Sequence, residues 1–408
     1  MKKLLIAFVV LLLNNACWAQ SDKAEQYFEA GIRCDSMRDY KGAIENYTKA
    51  LAIDPNNGDY LNNRGIARHN LQDYKGALTD YNRSIELDSA KGDYFYNRAI
   101  TKNDGFHEYQ AAILDYTKAI SLDAKNADYY YNRAISEEGL GMTADAMKDY
   151  DAAIKVDPNN GDFFCNRAIL KNDQKKYTDA LSDINKALKL NSEPANYYYN
   201  RALIRENLQV YDLAMADYSS AVEHDPQNAD YYFARGMFKY ERDIYPGSIT
   251  DFNMAMIFEP GNCVHYTSRA NSKYMLDDIK GALADCNKAI ELAPDTADNY
   301  YTRGFILLNT DDKQGALTDF TKAISLNNHN AVYRTLRGKT RIALQQYNEA
   351  ITDLNVAIEL NPESEEAFYL RGVAKVKIAK NAAGCDDLKR ADELGYKDAK
   401  EALKAYCK

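Results

Sequence analysis

Along most of the chain, small and large apolar positions return at a fixed interval of 34 residues. Counting from Ala24, eleven repeats start at residues 24, 58, 92, 127, 161, 195, 229, 263, 297, 331 and 365 and run to Tyr396, with one extra residue near Gly105. Position 8 of every repeat is Gly or Ala, from Gly31 and Gly65 to Gly372. Position 20 is small from Ala43 through Ser248 to Gly384, and position 27 is Ala except at Ser84. Position 24 is large in most repeats (Tyr47, Tyr81, Tyr116, Tyr150, Tyr218, Phe252, Phe320). Small side chains at these spacings let two antiparallel helices approach closely, with the large position filling the space opposite. Pro at position 32 (Pro55, Pro158, Pro226, Pro260, Pro294, Pro362) stops the second helix. Asn pairs such as Asn56-Asn57 and Asn159-Asn160 then suit the start of the next. No linker interrupts the array, so residues 24–396 read as one continuous solenoid after a short lead at 20–23.

With Tyr at position 17 and Pro at position 32, these residues resemble the tetratricopeptide repeat family over residues 24–396. The resemblance implies an all-α fold, a right-handed superhelical solenoid of antiparallel helix pairs whose first helices line a concave groove. Arrays of this kind need capped ends. Residues 397–408 read as a C-terminal capping helix, with Ala399, Leu403 and Tyr406 of the segment Lys397–Cys407 on one face. Cys385 lies ten residues before the Gly395 turn and Cys407 twelve after it, so a hairpin sets them opposite each other. In an oxidising compartment a disulfide is expected there, two packed thiols being the alternative. Cys34, Cys165, Cys263 and Cys286 fall at unrelated positions, read as unpaired, and have no metal-ligand spacing.

The first nineteen residues stand apart. Lys2 and Lys3 precede an apolar run from Leu4 to Leu13 and the exit Cys17-Trp18-Ala19. These are the parts of a secretory signal cleaved after Ala19, so the protein is expected to be exported, periplasmic or secreted. The rival is a lipid anchor at Cys17. The run is short for a bilayer span, and no other stretch approaches that length, so no transmembrane segment is expected after cleavage.

Charge narrows the partners. The chain carries a net −9, more once the two signal lysines are removed, and acidic protein repels phosphate backbones and anionic membranes. Nucleic acid is therefore not expected. The five histidines are scattered and form no His-Glu-x-x-His pair, and Gly338-Lys339-Thr340 lacks the upstream glycine of a phosphate loop. No metal, cofactor or catalytic constellation is expected, and the chain reads as a binding protein.

Two charged positions recur together. Position 7 is Arg and position 23 is Asp in repeats 2 to 11, including Arg98 and Asp115, Arg133 and Asp149, Arg167 and Asp183, and Arg201 and Asp217. Repeat 1 lacks both, having Ala30 and Asn46, and this joint absence points to pairing within a repeat. In the family that position is usually leucine between the helices, which favours structural ion pairs over a binding stripe. Bases at position 11 (Arg68, Lys102, Lys171, Arg205) are candidates to share the aspartates.

By resemblance, positions 2, 5, 6 and 9 of the first helices face the groove. Position 6 is Asn in five consecutive repeats, Asn63, Asn97, Asn132, Asn166 and Asn200. Carboxamides at one height can bond an extended peptide backbone. Beside them run Ile66, Ile100, Ile135, Ile169 and Leu203 at position 9, with Tyr96, Tyr131 and Tyr199 at position 5. An apolar strip beside amides suits side-chain pockets beside backbone contacts, although packing against the neighbouring repeat explains it equally well. Acidic residues at position 2 (Asp59, Asp93, Asp128, Asp162) and the lack of Lys at positions 2, 5 and 9 favour a neutral or basic segment as ligand. The expected function is a scaffold for a protein partner. The alternative is a structural subunit or assembly factor of an envelope complex, engaged through its convex face or ends.

Overall fold

The computed structural model describes residues 22–407. Among these residues there are 23 helices and no strands, so the chain is an all-α array of antiparallel helix pairs. The signal segment and Cys17 lie outside the described residues. The helices gather into two compact bodies, one ending at Ala214 and the other starting at Met215, within the helix Tyr211–His224.

Each repeat forms two helices, most of them 13 or 14 residues long, as in Gly58–Asn70 followed by Tyr74–Leu87. Asparagines start many of the first helices: the Asn57 side chain accepts from the amides of Asp59 and Tyr60, and Asn126 and Asn160 each accept from the amide two residues on. Asp39, Asp73, Asp278 and Asp312 cap second helices, accepting from the glycine amide three residues on. Between the helices the chain turns through one left-handed residue, at Arg38, Gln72, Lys175 and Gln209 for example, and at Gly141 in repeat 4. The extra residue in repeat 3 is taken up by its first helix, Gly92–Phe106, whose 15 residues delay the left-handed turn to His107.

Packing follows the small and large positions. The rings of Tyr47, Tyr81, Tyr116 and Tyr150 are buried, as are the alanines around them. A Cβ on Gly31 would stand 2.4 Å from the Tyr47 ring, and one on Gly65 would stand 2.6 Å from Tyr81. Each ring thus lies against the backbone of the facing helix. Burying one such ring contributes on the order of 2–3 kcal/mol.

The terminal helix, Ala399–Tyr406, differs from expectation in its start and in one member of its buried face. Ala399 and Ala402 are buried and Leu403 is half-buried, whereas Tyr406 is 38% exposed, with the Lys377 ammonium 5.4 Å from its ring. Eight residues give only two turns, so the face narrows to alanines that seat closely on the preceding helix. No helix among the described residues is long and apolar enough to cross a membrane.

Candidate peptide-binding face

All five position-6 asparagines are half-buried on first helices of the N-terminal body. Their amides also serve the fold. Asn97 Nδ2 donates to Asn62 Oδ1 (3.0 Å), Asn132 to Tyr96 Oη (3.1 Å), and Asn166 to Tyr131 Oη (2.9 Å). Each bond joins a repeat to the one before it. Asn63, Asn132 and Asn200 also donate to carbonyls one turn back in their own helices, and Asn200 approaches the Cys165 sulfur at 3.7 Å.

The position-5 tyrosines are wedged between repeats. Tyr96 lies 5.9 Å from the Tyr116 ring of its own repeat and 5.0 Å from Tyr129 of the next. Tyr131 lies in the same way between Tyr150 and Phe163. Tyr199 is half-buried at the equivalent height. At position 9, Ile100 packs against Ala99, Ala112 and Tyr116, and Ile169 against the cluster around Phe164. Ile66, Ile135 and Leu203 are half-buried on the same face.

The aspartates at position 2 have a role that the sequence reading missed. Tyr94 Oη donates to Asp59 (2.7 Å), Tyr129 to Asp93 (2.5 Å) and Tyr197 to Asp162 (2.6 Å), each across a repeat junction. Lys91 Nζ also reaches Asp59 at 2.6 Å. Burial pushes the Asp59 carboxyl up, but hydrogen bonds from Lys91 and Tyr94 outweigh it and hold it below the usual range. Asp59 therefore remains charged while bonding the stack. The signal lay in position 3, which is Tyr in most of the early repeats.

The arginine ladder lies between the helices. Arg98 Nε and Nη2 donate to the two oxygens of Asp115 at 2.8 and 2.6 Å. The same fork joins Arg133 to Asp149 (2.5 and 2.8 Å) and Arg167 to Asp183 (2.8 and 2.7 Å). Lys102 and Lys171 add their ammonium groups to the same aspartates, each at 2.7 Å. Arg201 and Asp217 belong one to each body. The third arginine nitrogen goes elsewhere: Nη1 of Arg98, Arg133, Arg167 and Arg201 donates to Asn82, Thr117, Asp151 and Asn185 of the preceding repeat. Position 25, which supplies these acceptors, is Thr, Asn, Asp or Ser through repeat 10 and Lys389 in repeat 11. That recurrence of short polar residues is visible in the sequence.

Cys385 and Cys407 are brought to bonding distance, with Cα atoms 5.7 Å apart. Cys34, Cys165, Cys263 and Cys286 are free cysteines. Burial pushes the Cys165 and Cys286 thiols up to about 12, with nearby aspartates adding to it, so both are unreactive. Among the described residues no group of three or more His, Cys, Asp or Glu could hold a metal ion.

No curated protein matches the chain by sequence. Among solved structures it is similar to yeast Tom70, at 17% identity over 93% of both chains with a TM-score of 0.47. It is also similar to the Cut9–Hcn1 hetero-tetramer of the APC/C, at 14% identity over 95% of this chain and 96% of that one, TM-score 0.49. A tetratricopeptide repeat protein from Parabacteroides merdae is 25% identical over 60% of this chain and 98% of its own, TM-score 0.46. Models of the tetratricopeptide repeat family match residues 38–72 and 338–378, 165–229, and 58–91, 127–160 and 297–330. Together they cover more than half of the chain at the 34-residue spacing that the packing displays, and the chain belongs to the tetratricopeptide repeat family, whose repeats mediate protein–protein interaction.

Proposed function

We propose that the protein is an exported scaffold that holds an extended segment of a protein partner along the first helices of repeats 2 to 6. The observation that carries this reading is the strip of Ile66, Ile135 and Leu203, half-exposed at one height beside the asparagines. A segment lying there gains side-chain contacts at repeat spacing, with carboxamides within reach of its backbone. Asp59 stays anionic under its lysine and tyrosine bonds, and position 2 is acidic in repeats 2 to 5, so a neutral or basic segment fits better than an acidic one. Export is supported by the Lys2-Lys3 start, the apolar run and the Ala19 exit. The nearness of Cys385 and Cys407 suits an oxidising compartment, where they form a disulfide. Attachment of the exported chain by a lipid on Cys17 is the variant of this reading.

A second reading, a structural subunit engaged through the second helices, is favoured by Leu114 and Ile257, both 65% exposed on those helices. One experiment separates the two. The variant Ile66→Gln/Ile135→Gln/Leu203→Gln leaves the inter-repeat hydrogen bonds intact, so its helicity and melting should match wild type. Crosslinking pulldown from envelope extract is then compared between the two proteins. Partners lost from the variant support the first-helix face. An unchanged partner set overturns it and moves attention to Leu114 and Ile257.

A further inference from the structure

In the ladder of ion pairs, position 11 supplies a second cation to the buried aspartate. Lys102 and Lys171, in the repeats on either side of repeat 4, each place Nζ 2.7 Å from it, and Arg68 places Nη1 at the same distance. Repeats 7, 8, 10 and 11 repeat the contact. Repeat 4 does the opposite. Its position 11 is Glu137, 5% exposed, with Oε2 buried and without a hydrogen-bond partner. Here one arginine, Arg133, stands against two carboxylates, where its neighbours have two cations against one.

We propose that Glu137 is a proton-binding site that makes the helix pair of repeat 4, Ala127–Gly139 and Thr143–Val156, responsive to pH. Protonated, Glu137 is neutral and leaves Asp149 to its fork with Arg133. Ionised, it adds a second buried anion to a pocket that holds one cation, and an uncompensated buried charge opens local structure. The charges around it are Arg133 on its own helix and Asp145, Lys148 and Asp149 on the facing helix. Lys148 is tied to Asp145 at 2.8 Å. From the preceding repeat, the Tyr109 ring closes on the adjacent Gly139. Burial, reinforced by Asp149 and opposed by Arg133, raises the Glu137 carboxyl to about 7.

The folded state therefore holds this proton more tightly than the unfolded state does. Stability from this site is fully present at acidic pH. It falls as pH rises from the ordinary glutamate value, about 4.5, to about 7, and stays low above that. Since Asn132 and Ile135 lie on the same helix, opening would also slacken the candidate peptide face. That last step rests on the peptide-binding reading, and the proton site does not.

Hydrogen exchange of full-length protein tests it, with wild type, Glu137→Gln and Glu137→Lys compared at each pH so that intrinsic exchange cancels. Wild-type protection in residues 127–156 should fall about tenfold or more relative to Glu137→Gln between about pH 5.5 and about pH 8.5. Residues 161–190 should keep a constant ratio. Glu137→Lys, which restores the pattern of the neighbouring repeats, should be as insensitive to pH as Glu137→Gln. A constant wild-type ratio for residues 127–156 overturns the proposal. So does a Glu137 side chain that titrates near the ordinary glutamate value in a carbon-detected NMR titration.

Discussion

Arg98 grips Asp115 of its own repeat through Nε and Nη2 and Asn82 of the preceding repeat through Nη1, at 2.8, 2.6 and 2.8 Å. One planar cation thus closes a helix pair and docks it on the one before. The Phe95 ring lies 5.6 Å from the same guanidinium. Repeat 1 has nothing before it to dock on among the described residues, and there the position is Ala30.

Removing one partner should therefore loosen two interfaces. Arg98→Ala leaves Asp115, 6% exposed, with Lys102 alone, and is expected to cost about 3 kcal/mol in urea unfolding. Asn82→Ala removes only the docking bond and should cost about 1 kcal/mol. Equal losses from the two variants would refute the division of roles.

The bond from Asn132 to Tyr96 Oη, 3.1 Å long, makes a matching prediction for the candidate face. Asn132→Ala and Tyr96→Phe should each destabilise by about 1 kcal/mol, and the double variant by less than their sum. Additive losses in the double-mutant cycle would show that the contact contributes nothing. The cycle also measures how much of any binding defect in an asparagine variant reflects a weakened stack.

At the turns, Lys175 has φ +60° and Gly141 φ +73°. A side chain in that left-handed region costs about 1 kcal/mol relative to glycine. Lys175→Gly should raise the thermal midpoint and Gly141→Ala lower it, each by a few degrees at most. Opposite signs would mean that entropy of the unfolded chain outweighs turn strain.

At the C-terminus, a bond between Cys385 and Cys407 closes a loop over a sequence separation of 22. Loop closure of that size contributes about 3 kcal/mol, concentrated on the terminal helix. In protein isolated from an oxidising compartment, both cysteines should alkylate only after reduction. Reduction should raise hydrogen exchange in residues 385–407 and leave repeats 1 to 5 unchanged. Alkylation without reduction would show that the bond is not formed.

The repeat length, the helix pairing and the arginine–aspartate partnership were legible because they depend on what recurs. A small residue at position 8 and a ring at position 24 imply close helices wherever they occur. The joint absence of Arg and Asp from repeat 1 shows a partnership without coordinates. The cap was half legible: the facing cysteines were, but the exposure of Tyr406 was not, because two turns of helix present too narrow a face for periodicity to resolve.

By itself, the sequence determined the period, the elements and the chemistry available on each face. Tertiary structure alone decided where each polar group points. Asn132 and Asp93 read from sequence as groove residues. Yet the Asn132 amide donates to Tyr96 and Asp93 accepts from Tyr129, each in an adjacent repeat. The physical reason is that stacking sets residues some 35 positions apart within hydrogen-bond reach, where half-buried polar groups satisfy one another before any ligand arrives. Periodicity states which side chains share a face, but not which of them the next repeat has already bonded.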